Sequence, residues 1–512
     1  MDGTLFDRWR RLIAVSDARE SRPVFETFTG SELATIPIGE EPDVVAAVGR
    51  ARRAQLAWSA RPAAERAAIL ERFRALVLTH RDRIMDVVQA ETGKARSGAQ
   101  EEIMDLLLSA RYYAKQGPRL LTPRREPGVF PLATKAVVRH QPKGVIGVIA
   151  PWNYPVALSV CDAIPALMAG NAVVVKPDSQ TPFSVLAVVE LLYEAGLPRE
   201  LFAVVPGAGS VVGAAIVDNC DYLMFTGSTA TGRRLAEQCG RRLIGISAEL
   251  GGKNPMIITR GADLNAVARA AVRACFSNSG QLCMAIERIY VEKAVAEAFT
   301  AKFVAAVSAV TLGAAYDFGT DMGSLASADQ LKAVAGHVDD AVAKGARVLA
   351  GGRARPDLGP YFYEPTVLTG VTDDMDCARA ETFGPVVSIY PVADVEEAVA
   401  RANDTEYGLN ASVWAASKRE GEAIAARLRC GTVNVDEAYG LGYASIAAPM
   451  GGMGVSGIGR RHGHDGLLKY TEPQTVATMR GLSLDPPFGL SNSLWQQAIT
   501  PVIRLIQALP GR

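Results

Sequence analysis

Three side chains far apart in the chain could share one covalent reaction: the amide of Asn153, the carboxyl of Glu249 and the thiol of Cys283. A cysteine thiolate can attack an electrophilic carbon, an amide N–H can stabilise a developing oxyanion, and a carboxylate in apolar surroundings can serve as a general base. Cys283 closes the turn Phe276-Ser277-Asn278-Ser279-Gly280-Gln281-Leu282-Cys283, between a helical run from Leu264 to Phe276 and a strand-like segment from Ile286 to Val291. Irregular backbone between regular elements is where nucleophiles are displayed. Each residue also has an ordinary use. Free cysteine often packs as a small hydrophobe, an asparagine after a strand makes turns, and a lone glutamate is usually an exposed charge.

A second set could hold a phosphorylated, sugar-bearing ligand. Lys176, in Lys176-Pro177-Asp178-Ser179, follows a strand-like run and could reach ribose hydroxyls or a phosphate, or stand as a plain strand-end cation. In Thr226-Gly227-Ser228-Thr229-Ala230-Thr231-Gly232, glycines allow close backbone approach, and Ser228 or Thr229 could cap a helix whose free N–H groups face a pyrophosphate. The segment is not a P-loop, because Arg233-Arg234 replaces the Lys-Ser/Thr pair, and it lacks G-x-G-x-x-G. Glu381-Thr382-Phe383-Gly384-Pro385 offers a carboxylate for a sugar hydroxyl and a ring beside it, or an ordinary turn. The glycine-dense stretch from Pro449 to Arg460 reads equally as a pocket wall or a surface connection.

The elements between these residues position them. From Glu41 to about Gln116 apolar residues recur at three and four, as in Ile69, Leu70, Phe73, Leu76 and Val77, which predicts helices. From Gly144 short strands alternate with helices: Val145–Ala150, Ala172–Lys176, Ala203–Val205, Tyr222–Phe225 and Ser247–Glu249. That alternation predicts an α/β fold with an open, doubly wound parallel sheet, whose ligands sit beyond the carboxyl ends of the strands. A second series, with strands at Ile286–Val291, Val348–Ala350, Val386–Tyr390, Ala411–Ala415 and Thr432–Asp436, predicts a second lobe. Extended segments at 119–140 and from Leu467 to Met479 are expected to pair. A tail helix, Trp495 to Leu509, is expected to kink or restart at Pro501. With only Arg504 as a basic residue in its body, it is expected to pack on protein rather than on a membrane surface.

The chain of 512 residues is long enough for two or three domains. Lys and Arg number 54 and Asp and Glu 54, so no basic surface points to nucleic acid or an anionic membrane. Seven scattered cysteines without a C-x-x-C pair argue against disulfide and zinc frameworks and for a reducing cytoplasm. No metal is expected, and His462 and His464 are expected at the surface. Neither a signal peptide nor a run of apolar residues long enough to span a membrane is evident.

Pro-Trp-Asn-Tyr-Pro at 151–155, Phe-Thr-Gly-Ser-Thr at 225–229, Glu-Leu-Gly-Gly-Lys at 249–253, Gly-Gln-x-Cys at 280–283 and Glu-Thr-Phe-Gly-Pro at 381–385 resemble the motifs of the aldehyde dehydrogenase superfamily, in order and spacing, across about residues 25–480. Within it the chain is most similar to the actinobacterial NADP-type succinate-semialdehyde dehydrogenase 2 group. The resemblance implies a cofactor domain at 1–118 and 142–249, a catalytic domain at 250–446, oligomerisation strands at 119–141 and 467–480, and a tail helix at 485–512. It implies Cys283 as nucleophile, Glu249 as base for hydrolysis, and Asn153 with the Cys283 N–H as oxyanion donors. Trp152, Asn153, Lys176, Pro177, Asp178, Ser179, Gly227, Ser228, Leu250, Glu381 and Phe383 would surround the cofactor, and a homodimer or homotetramer is expected.

Ser179 stands where NAD-preferring relatives carry a glutamate, so NADP is expected, with NAD possible because Asp178 is adjacent. The resemblance implies succinate semialdehyde as substrate. Yet the two arginines that hold its carboxylate in such enzymes are replaced by Cys161 and Ser277, leaving Ser445 as a candidate contact and a broader aliphatic or aromatic aldehyde as the alternative. A thiol esterase using Cys283 and Glu249, or a non-catalytic descendant, is the competing class. Lys176, Ser228 and Glu381 argue against the first, and the presence of both nucleophile and base against the second.

Overall fold

A computed structural model describes residues 3–16, 19–128, 134–480 and 485–508. Parts of the proposed 119–141 extension and the 485–512 tail lie outside those residues. Four helices, Glu41–Ala60, Ala63–Thr79, Arg81–Thr92 and Arg96–Leu120, fill the region of helical period. The apolar stripe explains the second of them: Ile69, Leu70, Phe73 and Val77 are buried while Arg72 is exposed. Each such side chain contributes roughly 1.5–3 kcal/mol on burial, more than helix propensity differences supply.

Two parallel sheets form the frame. The first has six strands in the order Gly457–Ile458, Gly245–Glu249, Tyr222–Thr226, Val145–Ile149, Ala172–Lys176 and Phe202–Val204, all parallel except the first. Strand order reverses around Val145–Ile149, so the crevice beyond its carboxyl end lies between the loops that begin at Ala150 and Gly227. The second sheet has seven strands in the order Arg347–Ala350, Thr366–Thr369, Val386–Val392, Ile286–Glu292, Asn254–Ile258, Asn410–Trp414 and Thr432–Val435. Only Arg347–Ala350 pairs antiparallel there. One apolar core fills the first lobe, and two others cover the faces of the second sheet.

The chain returns to the first lobe after the second: Ile446, Leu467 and Tyr470 pack in its core, and Gly457–Ile458 adds its edge strand. Thr471–Met479 pairs antiparallel with Thr134–Pro142, which pairs with Arg124–Glu126. Pro473 is tolerated there because its strand is an edge.

Several expectations are corrected. The expected strand from Leu467 begins only at Thr471, because Gly463–Leu468 is a helix. Residues 119 and 120 still belong to the helix Arg96–Leu120. Pro501 neither ends nor restarts the tail helix Asn492–Gln507. His462 is buried at 5% exposure with both ring nitrogens unpartnered among the described residues, while His464 is exposed as expected. No helix of the described residues is long and apolar enough to cross a membrane, and they contain no cluster of metal-ligating side chains.

Candidate active site

The helix Leu264–Phe276 and the strand Ile286–Glu292 are joined by the turn that carries Cys283. Asn278 and Ser279 take left-handed φ of 51° and 55°, and Gly280 follows at 71°. A Cβ at Gly280 would lie 2.0 Å from the carbonyl oxygen of Gly384, so glycine alone lets this turn touch the Glu381–Pro385 turn. The Gln281 amide oxygen accepts from the Ala326 N–H at 2.9 Å, and the Ser279 hydroxyl donates to the Gly323 carbonyl at 3.0 Å. Asn254 Nδ2 donates to the Cys283 carbonyl at 2.7 Å. The turn that carries Cys283 is thus tied down at Ser279, at Gln281 and at the Cys283 carbonyl.

Asn153, 3% exposed, joins the same turn: its Nδ2 donates to the Gln281 carbonyl at 3.0 Å. An amide nitrogen carries two N–H groups, so a second donor remains. The Asn153 carbonyl accepts from Lys94 Nζ at 2.7 Å and Asn278 Nδ2 at 3.1 Å. Lys94 is fully buried against Glu102 at 2.7 Å, and the other Glu102 oxygen accepts the N–H groups of Val156 at 2.8 Å and Ala157 at 3.1 Å. This ion pair fixes the Pro151–Pro155 turn. It carries no local sequence signal, since Gly93-Lys94 reads as an ordinary helix end.

Glu249 ends the strand Gly245–Glu249 and is 3% exposed, with neither carboxylate oxygen hydrogen-bonded among the described residues. Burial pushes its pKa up to about 7, against the opposing charges of Arg461 and Lys469. The half-buried Cys283 thiol is pushed up to about 12, first by burial and then by the negative charges of Glu249 and Glu381. Its own backbone N–H lies against the sulfur.

Cys283, Asn153 and Arg461 line one cavity of about 310 Å³, whose wall includes Met104, Leu158 and Leu282. Glu249 lies beside it, close enough for its charge to act on the Cys283 thiol. Ser445 does not line this cavity: it is exposed, and Tyr443 and Ala444 occupy the wall instead. Cys161 is buried outside the lining, and Ser277 is also absent from it.

The second set of residues gathers around the crevice of the first sheet. Lys176, 6% exposed, uses its ammonium among the described residues only for the Pro177 carbonyl at 3.0 Å. Asp178 accepts the Gln180 N–H at 2.9 Å within its turn, and Ser179 follows half-buried. Ser228 caps the helix Thr229–Arg241, and the Thr226 hydroxyl just before Gly227 is buried and unpartnered among the described residues. Leu250 is buried beneath that helix and donates its N–H to Ser456 at 2.9 Å. Glu381 accepts the Gly252 N–H at 2.8 Å, and the rings of Trp152 and Phe383 meet edge-on at 5.6 Å. Spare donors at Lys176, an unpartnered hydroxyl and a capped helix start fit a pyrophosphate and its riboses.

The family model described as the aldehyde dehydrogenase family matches residues 14–476. A Mycolicibacterium smegmatis protein, named as a candidate NADP(+) succinate-semialdehyde dehydrogenase, is 70% identical over 509 residues, covering 99% of this chain and 98% of that protein. A Mycobacterium tuberculosis protein named as a second such candidate is 64% identical over 510 residues, with 99% and 98% covered. The crystal structure of succinate-semialdehyde dehydrogenase from Burkholderia pseudomallei superposes with a TM-score of 0.86 at 36% identity, covering 91% of this chain and 96% of that one. The chain therefore belongs to the aldehyde dehydrogenase family.

Proposed function

We propose that the protein oxidises succinate semialdehyde to succinate with NADP, through a covalent intermediate on Cys283. The cavity lined by both Cys283 and Asn153, with the buried, unpaired Glu249 carboxyl beside it, carries the proposal. The thiol gives its proton to solvent water and the thiolate sulfur adds to the aldehyde carbon. The oxygen that becomes anionic is met by the free amide N–H of Asn153, which Lys94, Asn278 and Gln281 hold, and by the backbone N–H of Cys283, whose carbonyl Asn254 holds. When bound, NADP accepts the hydride leaving that carbon. Glu249 then takes a proton from water as its oxygen adds to the resulting thioester, and the C–S bond breaks to give the carboxylate and free Cys283. The names of the relatives support the substrate. Initial rates with succinate semialdehyde, hexanal and benzaldehyde test it: preference for hexanal would favour a broad apolar specificity, the reading favoured by the largely apolar cavity wall.

Lys176 and Glu381 would hold the riboses and Gly227 and Ser228 the pyrophosphate, with Trp152, Pro177, Asp178, Leu250 and Phe383 around them. Asp178 turns one carboxylate oxygen to the Gln180 N–H within its own turn, and Ser179 itself sets no charge against a 2′-phosphate. Ser179→Glu is expected to lower the NADP/NAD ratio of kcat/KM by about 10- to 100-fold, roughly 1–3 kcal/mol of repulsion. An unchanged ratio would remove Ser179 from cofactor choice.

An oligomer is also proposed. The strand Thr471–Met479 is exposed along nearly its whole length, Val476 and Met479 included, and an open edge of that kind is normally covered. Leu494, Val502, Ile503 and Leu505 of the tail helix are exposed as well. Sedimentation velocity is expected to give a dimer or tetramer of the 54.3 kDa chain, and a monomer at micromolar concentration would contradict it. A site in the cytoplasm is proposed from the seven free cysteines.

A further inference from the structure

We propose that Arg461 reads the distal carboxylate of an ω-carboxy aldehyde here, replacing the arginines missing at positions 161 and 277. The inference rests on the proposed oxidation at Cys283.

Two guanidinium groups line the cavity that holds Cys283. Arg273 stands at its edge, half exposed, ion-paired with Glu437 and stacked on the Tyr439 ring at 5.5 Å. Arg461 is different: it is 3% exposed and set in a mostly apolar wall. Its Nε donates to Asp162 Oδ1 at 3.1 Å, and Nη2 reaches the same oxygen at 3.0 Å and the Ala157 carbonyl at 3.2 Å. Nη1 has no hydrogen bond among the described residues. Its backbone is pinned by reciprocal bonds with Met450, at 2.7 and 2.9 Å. A buried guanidinium with spare donors incurs a desolvation cost that an oxygen ligand would relieve, and a carboxylate is its best geometric match.

The neighbouring carboxylates are turned to other partners. Glu101 accepts hydroxyls from Tyr154 at 3.0 Å and Tyr439 at 2.6 Å, and Asp105 accepts from Tyr443 at 2.6 Å. Arg461 and Cys283 line the same cavity of about 310 Å³, which places a guanidinium and the candidate nucleophile around one bound aldehyde. Met104, Leu158 and Leu282 would flank the methylenes.

The test compares kcat and KM for succinate semialdehyde and for butanal, the same chain length without the carboxylate, in wild type, Arg461→Lys and Arg461→Met. The double variant Arg461→Met/Asp162→Asn avoids leaving a buried aspartate unpaired, in case the single change does not fold. The ratio of kcat/KM for the two substrates is expected to fall by about 10- to 100-fold in the methionine variants, mainly through KM, and less in the lysine variant. The inhibition constant of succinate should rise with it while that of butyrate does not. An equal loss on both aldehydes would overturn the proposal and leave Arg461 as a structural partner of Asp162. Wild-type oxidation of butanal but not succinate semialdehyde would also overturn it. Inactivity of the wild type on both would instead defeat the proposed oxidation.

Discussion

Cys283→Ala is expected to abolish aldehyde oxidation, by at least about 10⁴-fold in kcat, while leaving the thermal unfolding midpoint close to wild type. Stability should survive because the turn is held by bonds that do not involve the thiol. Asn254 binds the Cys283 carbonyl, Gln281 binds Ala326, Ser279 binds Gly323, and Gly280 fits against Gly384 through its backbone. Removing a half-buried sulfur leaves a small void beside an existing cavity, which is tolerated better than one in a closed core. Activity should vanish because none of the other six cysteines lines that cavity. Cys161, the nearest in sequence to the Asn153 turn, is buried with its thiol pushed far up by burial and Asp105, and it could not substitute. Steady-state NADPH formation checks the outcome, and retained turnover would exclude the covalent route.

Glu249→Gln is expected to lower steady-state turnover by about 10²- to 10⁴-fold, the usual contribution of a general base. The first hydride transfer should persist, because Cys283 and the Asn153 donors are untouched. The effect should also be visible in pH. Burial raises Glu249 to about 7, and it acts as a base only when ionised, so wild-type hydrolysis should fall as pH drops through that region. The Cys283 thiol, pushed upward by burial and by Glu249 and Glu381, becomes more reactive as pH rises. In the glutamine variant the acid limb should disappear and only the rise due to the thiol should remain. Stopped-flow absorbance of NADPH between pH 6 and 9 separates the two, and an unchanged acid limb would assign it to another group.

The strand-end motifs were legible because each is local. A short β-branched run such as Ala172–Lys176, a polar turn and an apolar helix lie within a few residues, and the crevice rule then collects the turns into one place. Asn254–Ile258 was missed because Pro255 at its second position breaks the usual strand pattern, and Thr366–Thr369 because four residues carry too little period. The segment from Leu467 was misread for the same reason: two adjacent leucines before an extended run do not distinguish a final helical turn from a strand. The supports of the site were not legible at all. Lys94 meets the Asn153 carbonyl across 59 residues, and Arg461 meets Asp162 across 299. Such pairs are set by packing between elements far apart in the chain, and a lysine or arginine bound for the interior looks locally like one bound for solvent. His462 shows the same limit, buried where its glycine-rich surroundings suggested a surface loop. Ser445 fails differently, since its loop reaches the cavity through Tyr443 and Ala444 while the serine itself faces out.

The covalent role of Cys283 is tested most directly by rapid-quench mass spectrometry of Glu249→Gln, mixed with NADP and the aldehyde that the wild type oxidises fastest. One NADPH per active site should form in a burst, and the acyl group of that aldehyde should appear on the peptide containing Cys283, persisting for many seconds. A burst without acylation, or acylation mapped to another residue, would contradict the mechanism.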